Sequence, residues 1–169
     1  MNIVIIGGDN SGKTTLANNL HKRFKNSRVI HSPGKDLTAE EMVKFMLENT
    51  EVEGINIFDR FPLIEEDVNG PVLRGVSKLD SISNTIKEKI MDCIDVWILC
   101  FPGFNCILNW GDREQMEGIK ENCVELYSRY ILIGGNLAKR FPDKYLDYNY
   151  NSDLNGDIIF EKINNILGG

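Results

Sequence analysis

Asn2-Ile3-Val4-Ile5-Ile6 is a short, continuously apolar and mostly β-branched run that stops at Gly7-Gly8. With no polar alternation, it reads as a strand covered on both faces. Leu16, Ala17, Leu20 and Phe24 then recur every three or four residues, the stripe of an amphipathic helix. Val29-Ile30-His31 predicts a brief second strand, stopped by Ser32-Pro33-Gly34. Thr38-Ala39-Glu40-Glu41 matches a capping box and opens a helix to about Glu48. Residues 54–60 (GINIFDR) form a third strand with charged residues at its end, followed by a connection containing Gly70-Pro71. A helix is predicted near 79–91 from Leu79, Ile82, Ile86 and Ile90, and 95–101 (DVWILCF) is the fourth strand. The spacing of Met116, Ile119, Cys123, Leu126, Tyr130, Ile133, Leu137 and Phe141 predicts one long helix from Arg113 to about Phe141, kinked or split at Gly134-Gly135. Lys144 to Tyr148 reads as a fifth strand, and Ile158, Ile159, Ile163 and Ile166 as a closing helix. Alternation of strand and helix implies an α/β fold, a parallel sheet wrapped on both faces.

A chain of 169 residues with 42% hydrophobic and 26% charged residues fits one globular domain, 1–169, with no repeat or linker. A formal charge of −6 supplies no overall field for a phosphate backbone, so long nucleic acid is not the expected partner. Cys93, Cys100, Cys106 and Cys123 form no C-x-x-C pair and read as reduced, mostly core thiols, as in a cytoplasmic protein. No leader pattern and no apolar run of membrane-spanning length is seen. A homodimer is left open.

The chemistry is concentrated in Gly7-Gly8-Asp9-Asn10-Ser11-Gly12-Lys13-Thr14, which fits G-x-x-x-x-G-K-[ST] without a mismatch and lies between a buried strand and an amphipathic helix. Glycines let such a P-loop curl so that backbone N–H groups face phosphate oxygens, reinforced by the N-terminus of the following helix. Gly8, Asn10, Ser11, Gly12, Lys13, Thr14 and Thr15 are thus the candidate ATP phosphate-binding residues, with Lys13 on the β- and γ-phosphates and Thr14 on Mg²⁺. An Asn-Lys-x-Asp tetrapeptide, the usual base reader of GTPases, is missing, and the chain is short for an ATP-driven motor. Transfer of a γ-phosphoryl group to a small acceptor remains.

The segment GGDNSGKTT (7–15) resembles the phosphate loop of thymidylate kinases, FDR (58–60) their Asp-Arg-aromatic motif, and VWILCFP (96–102) the strand before their lid. GDREQMEG (111–118) is similar to an Arg-bearing lid and YLDYN (145–149) to their last strand, with compact phage-type deoxynucleoside monophosphate kinases as the nearest relatives. The resemblance implies a three-layer α/β/α P-loop fold with a five-stranded parallel sheet, and a short lid at about 103–118. It also implies Mg²⁺- and ATP-dependent phosphorylation of a deoxynucleoside monophosphate such as dTMP. Asp9 would accept a hydrogen bond from the acceptor's 3′-hydroxyl, with a loop-holding Asx turn as the alternative. Arg60 would grip the acceptor phosphate, and Asp59 would help hold Mg²⁺, orient Arg60 or cap a turn. Because Asn10 is uncharged, the lid must supply the transition-state cation, Arg113. Residues 35–58 offer only Lys35 and Lys44 where the family has an acceptor-binding arginine, so Arg74 is the candidate replacement; a loop surface charge is its alternative. Cys100 ends strand four where an Asp is common. Asn149-Tyr150-Asn151 lies where this family's adenine sits, and Trp110 and Phe104 are the candidates for base stacking.

Kinases that act on a nucleoside hydroxyl place a carboxylate near the end of strand two, where this chain has His31-Ser32-Pro33. A phosphate monoester is already ionised and needs no general base, so the missing carboxylate favours a monophosphate acceptor. A nucleoside or polynucleotide 5′-hydroxyl kinase using His31 or Asp59 as base, and a non-catalytic nucleotide-binding regulator, are the alternatives.

Overall fold

In the computed structural model, which describes residues 1–34, 36–108 and 117–168, five parallel strands carry the expected three-layer architecture. The strands are β1 (Asn2–Ile6), β2 (Ser27–His31), β3 (Ile55–Asp59), β4 (Val96–Cys100) and β5 (Tyr145–Tyr148), in the order β2-β3-β1-β4-β5. Successive residues explain the unbroken apolar runs: Val4, Ile6, Phe58, Trp97 and Leu99 enter one core, Ile3, Ile5, Ile57, Val96 and Ile98 the other. The second core is closed by α1 (Lys13–Arg23) and α7 (Asp157–Ile166) through Leu16, Ala17, Leu20, Ile159 and Ile163. The first is closed by α2 (Ala39–Thr50), α3 (Pro62–Arg74), α4 (Asn84–Asp92) and α6 (Cys123–Arg140), with the short α5 (Phe104–Ile107) between β4 and α6. The expected capping box is present at α2: Thr38 Oγ1 accepts from the Glu41 N–H at 3.2 Å, and the Thr38 N–H donates to Glu41 at 2.8 Å.

Register brings the functional ends together. Ile5 pairs with Asp59, His31 with Asp59 and Ile6 with Leu99, so the loop after β1 rises beside the end of β3. The connection after β1 runs to one side of the sheet and that after β3 to the other, and the crevice between two such strands is where open α/β sheets take ligands.

Three expectations are corrected. The connection around Gly70-Pro71 is the helix α3: Pro62 starts it with a preset φ, and Leu63, Ile64 and Val68 bury its inner face. Gly70 is needed because a Cβ there would lie 2.7 Å from Ser77 Cα. The helix expected near 79–91 is a 3₁₀ turn at Lys78–Ser81 followed by α4, each with its own serine cap, Ser77 and Ser83. The long helix starts at Cys123, since 117–122 are turns with Gly118 at φ +83°, and it runs through Gly134-Gly135 without interruption. Gly134 is there for close approach: its Cβ would lie 2.6 Å from Leu99 and 2.8 Å from the Tyr145 hydroxyl. All four cysteines are free thiols, but only Cys100 is fully buried. Among the described residues no helix is long and apolar enough to cross a membrane.

Candidate active site

The loop between β1 and α1 owes its shape to positive φ angles at Gly7 (+142°), Asn10 (+62°) and Gly12 (+87°). Gly7 admits no side chain, since a Cβ would meet Cys100 O at 2.6 Å. Gly12 ends the loop as the N-cap of α1 and supports the ring of Tyr150, whose Cδ1 is 2.9 Å from where a Cβ would stand. Among the described residues no side chain caps α1, which leaves its first N–H groups to an anion. The Asn10 amide reaches Ile107 O on α5 at 3.4 Å.

Lys13 is buried, and its ammonium is folded onto its own loop, 2.5 Å from Gly8 O and 3.4 Å from Ser11 Oγ. Burial and, after it, the nearby Arg60 lower its pKa, against the opposing pull of Glu65 and Asp9. Thr14 Oγ1 donates to Asp59 Oδ2 at 2.7 Å, and His31 Nδ1 lies 3.3 Å from the same oxygen. The other oxygen, Asp59 Oδ1, is buried with no hydrogen-bond partner among the described residues. A threonine hydroxyl and a carboxylate with an unused oxygen are hard donors of the kind Mg²⁺ takes beside substrate phosphates, so these residues fit the ion. No cluster of three or more His, Cys, Asp or Glu with metal-site geometry occurs among the described residues. Cys100 contributes no charge: burial pushes its thiol up to about 12. The carboxylate beside Thr14 therefore comes from β3, not β4.

The loop opens into a cleft of about 960 Å³. Asp9, Asn10, Ser11, Gly12, Lys13, Thr14 and Thr15 line it, together with Arg60, Arg74 and the Ser32-Pro33-Gly34 turn. Arg60 and Arg74 are both engaged by carboxylates. Arg60, in the left-handed region at φ +73°, donates to Asp9 through one nitrogen and to Glu65 Oε2 at 3.0 Å through the other. Burial opposes its charge, but Glu65 and then Asp9 outweigh it and raise the guanidinium pKa above the ordinary arginine value. Arg74 donates to Glu66 Oε2 at 2.5 Å, an oxygen that also accepts the Lys78 N–H at 3.0 Å. Arg74 thus faces the cleft from the last turn of α3 rather than from a surface loop.

Sequence reasoning missed Glu65, Glu66 and Asn69 because α3 was not anticipated; charged and amide residues facing a cleft every three or four positions were its signal. Phe104 packs on the Tyr127 ring at 5.1 Å, and Trp97 is stacked in the core on Phe141. No described aromatic residue lines the cleft. Asn149 forms an Asx turn, its side chain accepting from the Asn151 N–H at 2.9 Å. Arg113, Trp110 and Lys35 lie outside the described residues.

No family model and no curated protein matches the sequence. Solved structures do share the fold. YorR from Bacillus subtilis, in complex with phosphorylated GDP, is 16% identical with a TM-score of 0.72, covering 95% of each chain. Deoxyadenosine kinase from M. mycoides with bound dATP is 16% identical with a TM-score of 0.65, over 97% of this chain and 100% of that one. Thymidylate kinase from Candida albicans is 14% identical with a TM-score of 0.59, over 98% and 92%.

Proposed function

We propose that the protein is a phosphotransferase that moves the γ-phosphoryl group of ATP to a deoxynucleoside monophosphate, dTMP or a close relative, releasing ADP and the nucleoside diphosphate. The observation that carries this reading is a cleft lined both by the phosphate-binding loop with Lys13 and by Arg60 and Arg74. An anionic donor and an anionic acceptor each meet a cation there.

In this reading the loop N–H groups and Lys13, drawn away from Gly8 O, bind the ATP phosphates. Thr14 and Asp59 are the residues that would hold Mg²⁺, which when bound neutralises charge on the phosphoryl oxygens. Arg60 grips the acceptor phosphate with its planar fork and Asp9 accepts from the sugar hydroxyl. An oxygen of the acceptor phosphate attacks the γ-phosphorus in line as the bond to the β,γ-bridging oxygen breaks, and ADP carries off the electron pair. Arg113 on the lid is the proposed cation for charge on the transferring group, a part worth on the order of 10³–10⁵ in rate.

One observation favours a hydroxyl acceptor instead. Among the described residues, Asp9, Glu65, Glu66 and Glu117 line the cleft beside Lys13, Arg60 and Arg74, a balance kinder to a neutral nucleoside than to a dianion. The deciding experiment is ADP release from Mg·ATP with a panel of nucleoside monophosphates, nucleosides and 5′-hydroxyl oligonucleotides. Stimulation by monophosphates is expected. Stimulation by nucleosides or oligonucleotides alone would give the second reading, and none by any acceptor would leave a nucleotide-binding regulator.

A further inference from the structure

We infer that Glu65 positions Arg60, that Tyr130 on α6 secures Glu65 for that task, and that Asp9 is the partner Arg60 gives up when an acceptor binds. The inference rests on the kinase reading only for what Arg60 grips.

An arginine side chain has many rotamers, and ordering one for a single contact is costly in entropy. Arg60 is ordered before any acceptor arrives. Its backbone holds a left-handed φ of +73°, its N–H is bonded to Ile5 O at 3.1 Å, and its guanidinium bridges the loop and α3. The two bridging carboxylates are held very differently. Both oxygens of Glu65 are engaged: Oε1 accepts the Tyr130 phenol at 2.8 Å, and Oε2 accepts Arg60 at 3.0 Å and the Asn69 amide at 3.2 Å. Tyr130 is itself buried, so its hydroxyl comes from a fixed point on a different helix. Among the described residues, Asp9 has no side-chain hydrogen bond except that with Arg60.

An incoming anion can displace Asp9 at the loss of one contact, but to displace Glu65 it would have to dismantle three. Arg60 therefore keeps Glu65 behind it and turns the rest of its fork to the acceptor. Asp9, once released, is free to accept from the acceptor's hydroxyl. With Glu65 neutralising the guanidinium, selection rests on directional hydrogen bonds rather than on net charge.

The test is steady-state kinetics of Glu65→Gln, Tyr130→Phe and the double variant, with the acceptor varied at saturating ATP, alongside ATP KM and thermal midpoint. Glu65→Gln should raise acceptor KM about tenfold and Tyr130→Phe about threefold, with kcat and ATP KM changing less than about twofold. The double variant should match Glu65→Gln alone, because Tyr130 acts through Glu65. A merely structural role would lower the melting point and move no KM. An unchanged acceptor KM in Glu65→Gln, or effects that multiply in the double variant, would overturn the inference. If no acceptor stimulates wild-type ADP release, the kinase reading falls and ¹⁵N NMR of the arginine guanidinium decides the positioning alone. The Arg60 Nη signals, identified by their loss in Arg60→Lys, should be resolved in the wild type and averaged by rotation in Glu65→Gln. The same line shapes in both proteins would refute the claim.

Discussion

Gly12→Ala tests whether the phosphate-binding loop is held in shape by the ring of Tyr150. Gly12 sits at φ +87°, where an L-residue costs about 1–2 kcal/mol. The new methyl would stand 2.9 Å from Tyr150 Cδ1, with Cε1 at 3.6 Å and Cγ at 3.7 Å, so the ring must retreat. Overpacking of that size adds about 1–2 kcal/mol, giving about 2–4 kcal/mol in all. At this chain length each kcal/mol moves the midpoint by about 2–4 °C, so a fall of about 4–16 °C is expected in the absence of nucleotide. The stabilisation conferred by Mg·ATP should also shrink, because a loop displaced by about 1 Å loses its alignment with the phosphates. Differential scanning fluorimetry with and without Mg·ATP reads both effects. Adding Tyr150→Ala to Gly12→Ala removes the collision but not the backbone strain, and should recover only part of the midpoint. A midpoint for Gly12→Ala within about 1 °C of wild type would refute both the strain and the contact, since the two act in the same direction.

Other outcomes follow from the same geometry. In α6, Gly135→Ala meets open space and should raise the midpoint by a few degrees, about 1 kcal/mol of helix propensity, whereas Gly134→Ala runs into Leu99 and Tyr145 and should lower it; thermal melts of the pair check the opposite signs. Burial holds the Lys13 pKa below the usual lysine value, so its ammonium is lost early on the alkaline side and ATP affinity should begin to decline at a pH below the ordinary lysine range. The unfolded chain keeps that proton to higher pH, so in the same window unliganded wild type should gain stability relative to Lys13→Met, which paired denaturant titrations would show. Asp59→Asn leaves Thr14 a neutral acceptor and removes the carboxylate with the unpartnered oxygen, so the Mg²⁺ concentration for half-maximal ADP release should rise about tenfold with little change in the melting point. Arg113→Ala should lower kcat by about 10³ with a much smaller change in acceptor KM; an unchanged kcat would remove the lid arginine from the reaction.

Local signals carried most of the fold. β-branched runs, the Gly-rich turn, the Thr38 capping box and the 3.6-residue stripes located all five strands, α1, α2 and α7, and the body of α6 though not its start, because each depends on residues only a few positions apart. Pro71 misled: within 62–74 it reads as a breaker, yet α3 absorbs it near its C-terminal end, where packing of Leu63, Ile64 and Val68 outweighs one missing backbone donor. Gly134 misled in the same way, since a glycine that admits a neighbouring strand looks in one dimension like one that breaks a helix. The Gly-rich loop was likewise legible, being contiguous in the chain from Gly7 to Thr15.

What the sequence alone determined was therefore the alternating α/β order and the position of the Gly-rich loop between β1 and α1. Only the tertiary structure decided which groups face that loop. Arg60 and Tyr130 both meet Glu65, although Tyr130 lies 65 residues from it along the chain. Asp59 rather than the end of β4 meets Thr14, and Arg74 reaches the cleft on a helix. Such pairings depend on strand order and helix packing, which bring distant segments together through long-range burial, and no pattern within a short window of residues encodes them.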